Sequence, residues 1–100
     1  MMWILETLDE STAERVTFRM AADSVKTIGR STGAEFIVDT ALVSRLHCQL
    51  TSTASTLEVK DLGSTNGTFV NGKRVTLSAL QDGDRLGLGR IELKVSKQRD

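Results

Sequence analysis

Apolar and polar residues alternate in short runs along almost the whole chain. Residues 91–96 read IELKVS, which puts Ile91, Leu93 and Val95 on one face and Glu92, Lys94 and Ser96 on the other. A period of two is that of a strand with one side in a core and one in water. Comparable runs are WILETL (3–8), RVTFRM (15–20), SVKTIG (24–29), EFIV (35–38), HCQLTS (47–52), TLEVKD (56–61), GTFVNG (67–72) and DRLGLG (84–89). Between them lie Asp-Glu-Ser, Ser-Thr-Gly-Ala, Gly-Ser-Thr-Asn-Gly and Gln-Asp-Gly-Asp, clusters whose side chains and backbones favour turns. Many short strands with frequent turns predict an all-β fold, a sandwich of two sheets in a single domain over residues 1–100. The pattern places Leu46, Cys48 and Leu50 on one core-facing side, and makes Phe69, Leu86, Leu88, Ile91 and Leu93 further core positions. Trp3 has two readings, packed on the sandwich or marking a partner surface.

Composition agrees with the strand reading, because twenty-four residues are Val, Ile or Thr, whose β-branched side chains suit a pleated sheet. Thirteen basic residues balance thirteen acidic ones. The chain as a whole therefore has no electrostatic reason to seek nucleic acid or an anionic membrane, and any anion it binds must be held locally. Cys48 is the lone cysteine. It cannot form an internal disulfide, and with no secretory pattern in the opening MMWIL the expected setting is intracellular and cytoplasmic. No apolar run approaches membrane-spanning length. The isolated domain is expected to be monomeric, and the charged end KQRD leaves open that it belongs to a longer protein.

Three catalytic or metal patterns can be set against the residues. Gly67 to Lys73 spell G-x-x-x-x-G-K, but Arg74 stands where a P-loop needs a Ser or Thr hydroxyl for magnesium, and the following sequence is strand-like instead of helical. Ser44, His47 and Asp39 lie close in sequence, yet no nucleophile-elbow pattern surrounds Ser44. His47 and Cys48 are neighbours in a strand and would point to opposite faces, with no second His or Cys to complete a metal site. No catalytic residue, metal or cofactor is expected.

A different combination remains: Gly29-Arg30, Ser44-Arg45-Leu46-His47 and Gly63-Ser64-Thr65-Asn66-Gly67-Thr68, all at strand ends or in turns. Together they offer two guanidinium groups, several hydroxyls and a carboxamide. Guanidinium groups grip phosphate bidentately, hydroxyls add directed donors, and Asn both donates to and accepts from a peptide backbone. Two Asn-Gly pairs, at 66–67 and 71–72, add backbone positions that tolerate positive φ.

These segments, followed by LQDGDRLGLG (80–89), resemble the forkhead-associated (FHA) domain, a phosphothreonine-peptide-binding module. The resemblance runs from about residue 25 to the end and rests on all four motifs in register. It implies a sandwich of two mostly antiparallel sheets, about eleven strands, with the peptide bound across loops at one end. Carried over by position, Arg30 and Ser44 would be the principal phosphate ligands, assisted by Thr65 and Arg45, while Asn66 would hold the main chain of the peptide. Gly29, His47 and Gly67 would support the site: Gly29 as a tight bend, His47 as a brace between loops, Gly67 in a conformation closed to a side chain. Asn66-Gly67 would then shape the recognition loop, and Asn71-Gly72 would turn the hairpin after it.

Taken singly, Arg30 and Arg45 would be solvated surface arginines, Ser44 and Thr65 capping hydroxyls, and Asn66 a turn residue. Their joint occurrence is what carries the binding reading. Leu42, just before Ser44, is equally well read as core or as the lining of a pocket for a peptide residue. The expected function is recruitment of the parent protein to targets marked by Ser/Thr kinases. The alternative is an interaction domain whose loops bind an unphosphorylated partner.

Overall fold

The computed structural model describes residues 1–8 and 15–98; the Asp-Glu-Ser turn and the last two residues of KQRD lie outside them. All nine alternating runs contain strands, and the described residues form eleven: β1 Met2–Thr7, β2 Thr17–Ala21, β3 Val25–Gly29, β4 Phe36–Ile37, β5 Cys48–Ser52, β6 Leu57–Asp61, β7 Thr68–Val70, β8 Lys73–Val75, β9 Leu77–Leu80, β10 Arg85–Leu88 and β11 Ile91–Gln98. One sheet has the order β2-β1-β11-β10-β7-β8 and the other β4-β3-β5-β6-β9. Every pairing is antiparallel except β3 with β4. No helix among the described residues is long and apolar enough to cross a membrane.

The inner faces of the two sheets meet in a core of Leu5, Met20, Ile28, Leu50, Leu57, Val59, Leu86, Leu88, Leu93 and Val95, and Trp3 joins it. The Lys97 ammonium lies over the Trp3 ring, 5.5 Å from its centroid, within reach of a cation–π contact with the buried indole. Cys48 is fully buried. Burial pushes its thiol up to about 12, the Asp61 carboxylate adds to the shift, and the hydrogen bond with Thr68 opposes it.

Two core expectations fail. Leu46 is 48% exposed, because the ladder ends at Cys48 and residues 45 and 46 cross over Gly29 instead of continuing the strand. Phe69 is not in the core either. In β7 it is Thr68 that points inward, fully buried, which turns Phe69 to the outer face between Gly87 and Arg74. The run LSAL in β9 escapes the alternation rule for a related reason: its apolar Leu77 faces solvent at 58% exposure, while the partly buried Ser78 pairs with Val59. An edge strand can afford this inversion.

The sequence GTFVNGKRV forms β7, a turn and β8, so the G-x-x-x-x-G-K match sits in a hairpin and leads into no helix. Asn71 and Gly72 have φ of 52° and 82°, the paired positive values of a two-residue hairpin turn. The Asn71 side chain also ties this turn to the next one: Oδ1 accepts from the Arg85 amide at 2.9 Å and Nδ2 donates to Asp84 Oδ1 at 3.0 Å. Asn71→Ala removes both bonds and places a poorly tolerated residue at positive φ. It should lower the unfolding free energy by roughly 1–2 kcal/mol, measured by chemical denaturation.

Candidate functional site

Three chain segments converge at one end of the sandwich. The first leaves β3 at Gly29, and the ladder continues past the strand because the Arg30 amide donates to Ser44 O at 3.0 Å and the Ser31 amide to Arg45 O at 3.2 Å. This close run explains Gly29. A Cβ there would sit 1.9 Å from Arg45 O and 3.0 Å from Leu46 Cα, so the absence of a side chain is required by the crossing backbone. Gly29 is a residue of β3 and is not among the positive-φ positions; contact, and not a tight bend, selects glycine here.

His47 joins the second segment to the third. Its Nδ1 accepts from the Ser44 amide at 3.0 Å, and its Nε2 lies 2.8 Å from Gly67 O. An amide can only donate and a carbonyl can only accept, so the neutral ring must carry its proton on Nε2. The ring is completely buried. Both nitrogens are committed to the backbone, which leaves none to take a proton from Ser44 and removes the triad geometry.

The third segment is shaped from below by Asp61. Its Oδ1 accepts from Ser64 Oγ at 2.5 Å and Thr68 Oγ1 at 2.7 Å, and its Oδ2 from the amides of Gly63 and Ser64 at 3.1 Å each. Ser64 Oγ in turn accepts from the Gly67 amide at 3.0 Å. Burial alone would raise the Asp61 pKa, but the hydrogen bonds from Ser64, Thr68 and Gly63 outweigh it and hold the carboxyl below its usual 3.8. Gly67 has φ +91°, which strains any residue with a Cβ. Sequence reasoning did not single out Asp61, Ser64 or Thr68. The signal was present in the spacing of Asp61 to Gly63 and Ser64, which suits a carboxylate that caps its own following turn.

The functional groups sit above this frame. Arg30 Nε donates to Val43 O at 3.1 Å, Thr65 N donates to Ser44 Oγ at 3.0 Å, and Asn66 Nδ2 donates to Leu42 O at 3.0 Å. Arg30, Leu42, Ser44, Thr65 and Asn66 line a cleft of about 140 Å³. Arg45 lies apart from it, in an adjoining cleft of about 360 Å³ shared with Arg30, Ser31 and Asp39. Both Leu42 and Val43 border the smaller cleft, but the Val43 side chain is buried in the core whereas Leu42 is 36% exposed. Among the described residues no group of three or more His, Cys, Asp or Glu side chains is placed to hold a metal ion.

The family model of the FHA domain matches residues 26–89. The chain belongs to the FHA domain family. An FHA domain solved in a structural and functional analysis of phosphothreonine-dependent FHA interactions superposes with a TM-score of 0.88, at 31% identity over 99% of each chain. EmbR of Mycobacterium tuberculosis, solved with a low-affinity phosphopeptide, matches at TM-score 0.82 and 26% identity, over 95% of this chain and 24% of that one. In sequence, the ABC transporter ATP-binding/permease protein Rv1747 of Mycobacterium tuberculosis is 39% identical over 79 residues, 79% of this chain and 9% of that protein. The chain thus spans about half the length, or less, of the curated relatives it matches.

Because the frame of this FHA site is buried and hydrogen-bonded, its loss should register as stability. His47→Ala, which strands the Ser44 amide and the Gly67 carbonyl, and Gly67→Ala, which forces a Cβ to positive φ, should each lower the unfolding free energy by roughly 1–3 kcal/mol in denaturant titrations.

The Asp61 network should also be visible in the pH dependence of stability. A carboxyl held below 3.8 contributes stability that is fully present above that value and is lost as pH falls through the depressed folded value. Asp61→Asn should therefore be less stable at neutral pH, and its melting temperature should fall less steeply below about pH 4 than that of the parent chain.

Proposed function

We propose that this FHA domain binds phosphothreonine peptides, and so recruits the protein that carries it to targets of Ser/Thr kinases. The observation that carries this reading is the cleft in which Arg30, Ser44, Thr65 and Asn66 meet from three separate segments. The side chains of Arg30, Ser44 and Asn66 are each oriented by one protein hydrogen bond and keep further hydrogen-bonding capacity. Arg30 spends Nε on Val43 O, and its two outer nitrogens remain for a bidentate grip on phosphate. Ser44 Oγ accepts from Thr65 N, so its proton is available to a phosphate oxygen. Thr65, whose amide makes that bond, lines the same cleft.

Asn66 works on the peptide instead of the phosphate. One N–H of its Nδ2 donates to Leu42 O, which orients the carboxamide and leaves the second N–H to donate and Oδ1 to accept a main-chain N–H of the ligand. Arg45, across Arg30 in the adjoining cleft, adds positive potential for a group that carries about −1.5 to −2 charge near neutral pH. The residues of the cleft supply donors and a carboxamide, the chemistry of binding instead of turnover. The setting that matches such a ligand is the cytoplasm, with the domain acting as a monomer.

Charge-assisted hydrogen bonds of this number support roughly micromolar affinity after ordering costs. Titration calorimetry should show binding to phosphothreonine peptides, weaker binding to the phosphoserine versions, and none to the unphosphorylated ones. Arg30→Ala, Ser44→Ala and Asn66→Ala should each lower affinity by about tenfold or more with nearly unchanged melting temperature, since each truncates a group at the rim of the site. Equal affinity for phosphorylated and unphosphorylated peptide would replace this reading with a phosphate-independent interaction domain.

A further inference from the structure

Arg74 belongs to none of the motifs at the site, yet the sheet carries it there. In the β10–β7 ladder Leu88 faces Thr68 and Gly87 faces Phe69, and the same register brings Gly89 opposite Gly67 at the loop end of the sheet. Both are glycines with positive φ, +60° and +91°. With Thr68 and Leu88 pointing inward, positions 67 and 89 belong to the outer face. No side chain of their own covers this end of it.

Two neighbours lie over the glycines instead. A Cβ on Gly89 would meet Leu42 Cβ and Leu42 O at 2.8 Å, and Leu42 O is the atom that holds the Asn66 carboxamide. A Cβ on Gly67 would meet Arg74 Nε at 3.0 Å and Cζ at 3.2 Å, with the edge of the Phe69 ring also at 3.2 Å. The guanidinium of Arg74 is therefore laid against the outer side of Gly67, one residue from Asn66.

This cation is uncommitted. Arg74 is exposed, and among the described residues no side chain pairs with its charge. Asp84 is held by Asn71 and the Gln81 amide. Glu92 stands opposite Gly87, three strands from Arg74 along the outer face, which is about 14 Å at some 4.8 Å per strand. That exceeds the screening length of about 8 Å at physiological salt.

We propose that Arg74 is a specificity residue that draws an Asp or Glu side chain of the bound peptide to the outer rim of the site, past the residue whose main chain Asn66 holds. The inference rests on the phosphopeptide reading above, and its test keeps the two apart. Phosphothreonine peptides carrying Glu, Gln or Lys at one flanking position at a time are titrated at low ionic strength into the intact chain, into Arg74→Gln, Arg74→Lys and Arg74→Glu, and into Arg90→Gln, which removes an exposed arginine of the turn between β10 and β11.

At one flanking position the parent chain should prefer Glu over Lys by roughly two- to fivefold, the range of an exposed ion pair. That preference should persist in Arg74→Lys and Arg90→Gln, vanish in Arg74→Gln and reverse in Arg74→Glu, with melting temperatures unchanged and any general loss from the altered charge shared by the Glu, Gln and Lys peptides. A preference absent from the parent chain, identical in Arg74→Gln, or lost in Arg90→Gln in its place overturns the assignment to Arg74 while leaving phosphothreonine binding intact. If no peptide binds better phosphorylated than unphosphorylated, the phosphopeptide reading fails and takes this inference with it.

Discussion

His47 is completely buried, and both of its ring nitrogens are spent on backbone groups, the Ser44 amide of its own segment and the Gly67 carbonyl of the next loop. The rest of the site depends on this pair of bonds. Ser44 stands on the segment that supplies carbonyls to Arg30 and Asn66, and Gly67 ends the loop that presents Thr65 and Asn66. A buried polar ring without partners would be costly, so the two loops are held where the imidazole can be satisfied. The brace is neutral and of one tautomer, and it fixes distance as well as direction.

Around it, the binding end is organised by what is missing as much as by what is present. Gly29 lets the backbone at Arg45 cross at a distance no side chain would allow, and Gly89 does the same for Leu42. These two contacts press the loop of residues 41–46 against both sheets. Asp61 supplies the complementary support, because one carboxylate collects three donors from the loop after β6 and a fourth from Thr68 of β7, and so keeps the loop folded upon its own strand. The result is that the Arg30, Ser44 and Asn66 side chains are each anchored once and keep further hydrogen-bonding capacity at the cleft. Such preorganisation reduces the ordering cost of binding.

Much of the sandwich is legible in the chain. IELKVS and TLEVKD alternate cleanly because their strands have one wet face and one dry face, and the two Asn-Gly pairs announce positive-φ backbone that the turns flanking β7 use. The failures are instructive. Leu46 follows the alternation of β5 in sequence but not in space, since the chain leaves the ladder to cross Gly29. Phe69 looks like core until Thr68 is seen to take the inward position in order to reach Asp61. In both places a local rule yields to a contact made with a segment distant in sequence.

The sequence by itself determined the strand-rich class, the positions of the turns and the inventory of guanidinium, hydroxyl and carboxamide groups, because these follow from side-chain chemistry and from periodicities over a few neighbouring residues. Only the tertiary structure decided which of those groups share a cleft. It set Arg45 in a neighbouring cleft, placed Leu42 at the rim and Val43 in the core, and brought Arg74 beside Gly67. The reason is physical: register between strands and close backbone approach at glycine are properties of paired segments, and a single pass along the chain contains neither.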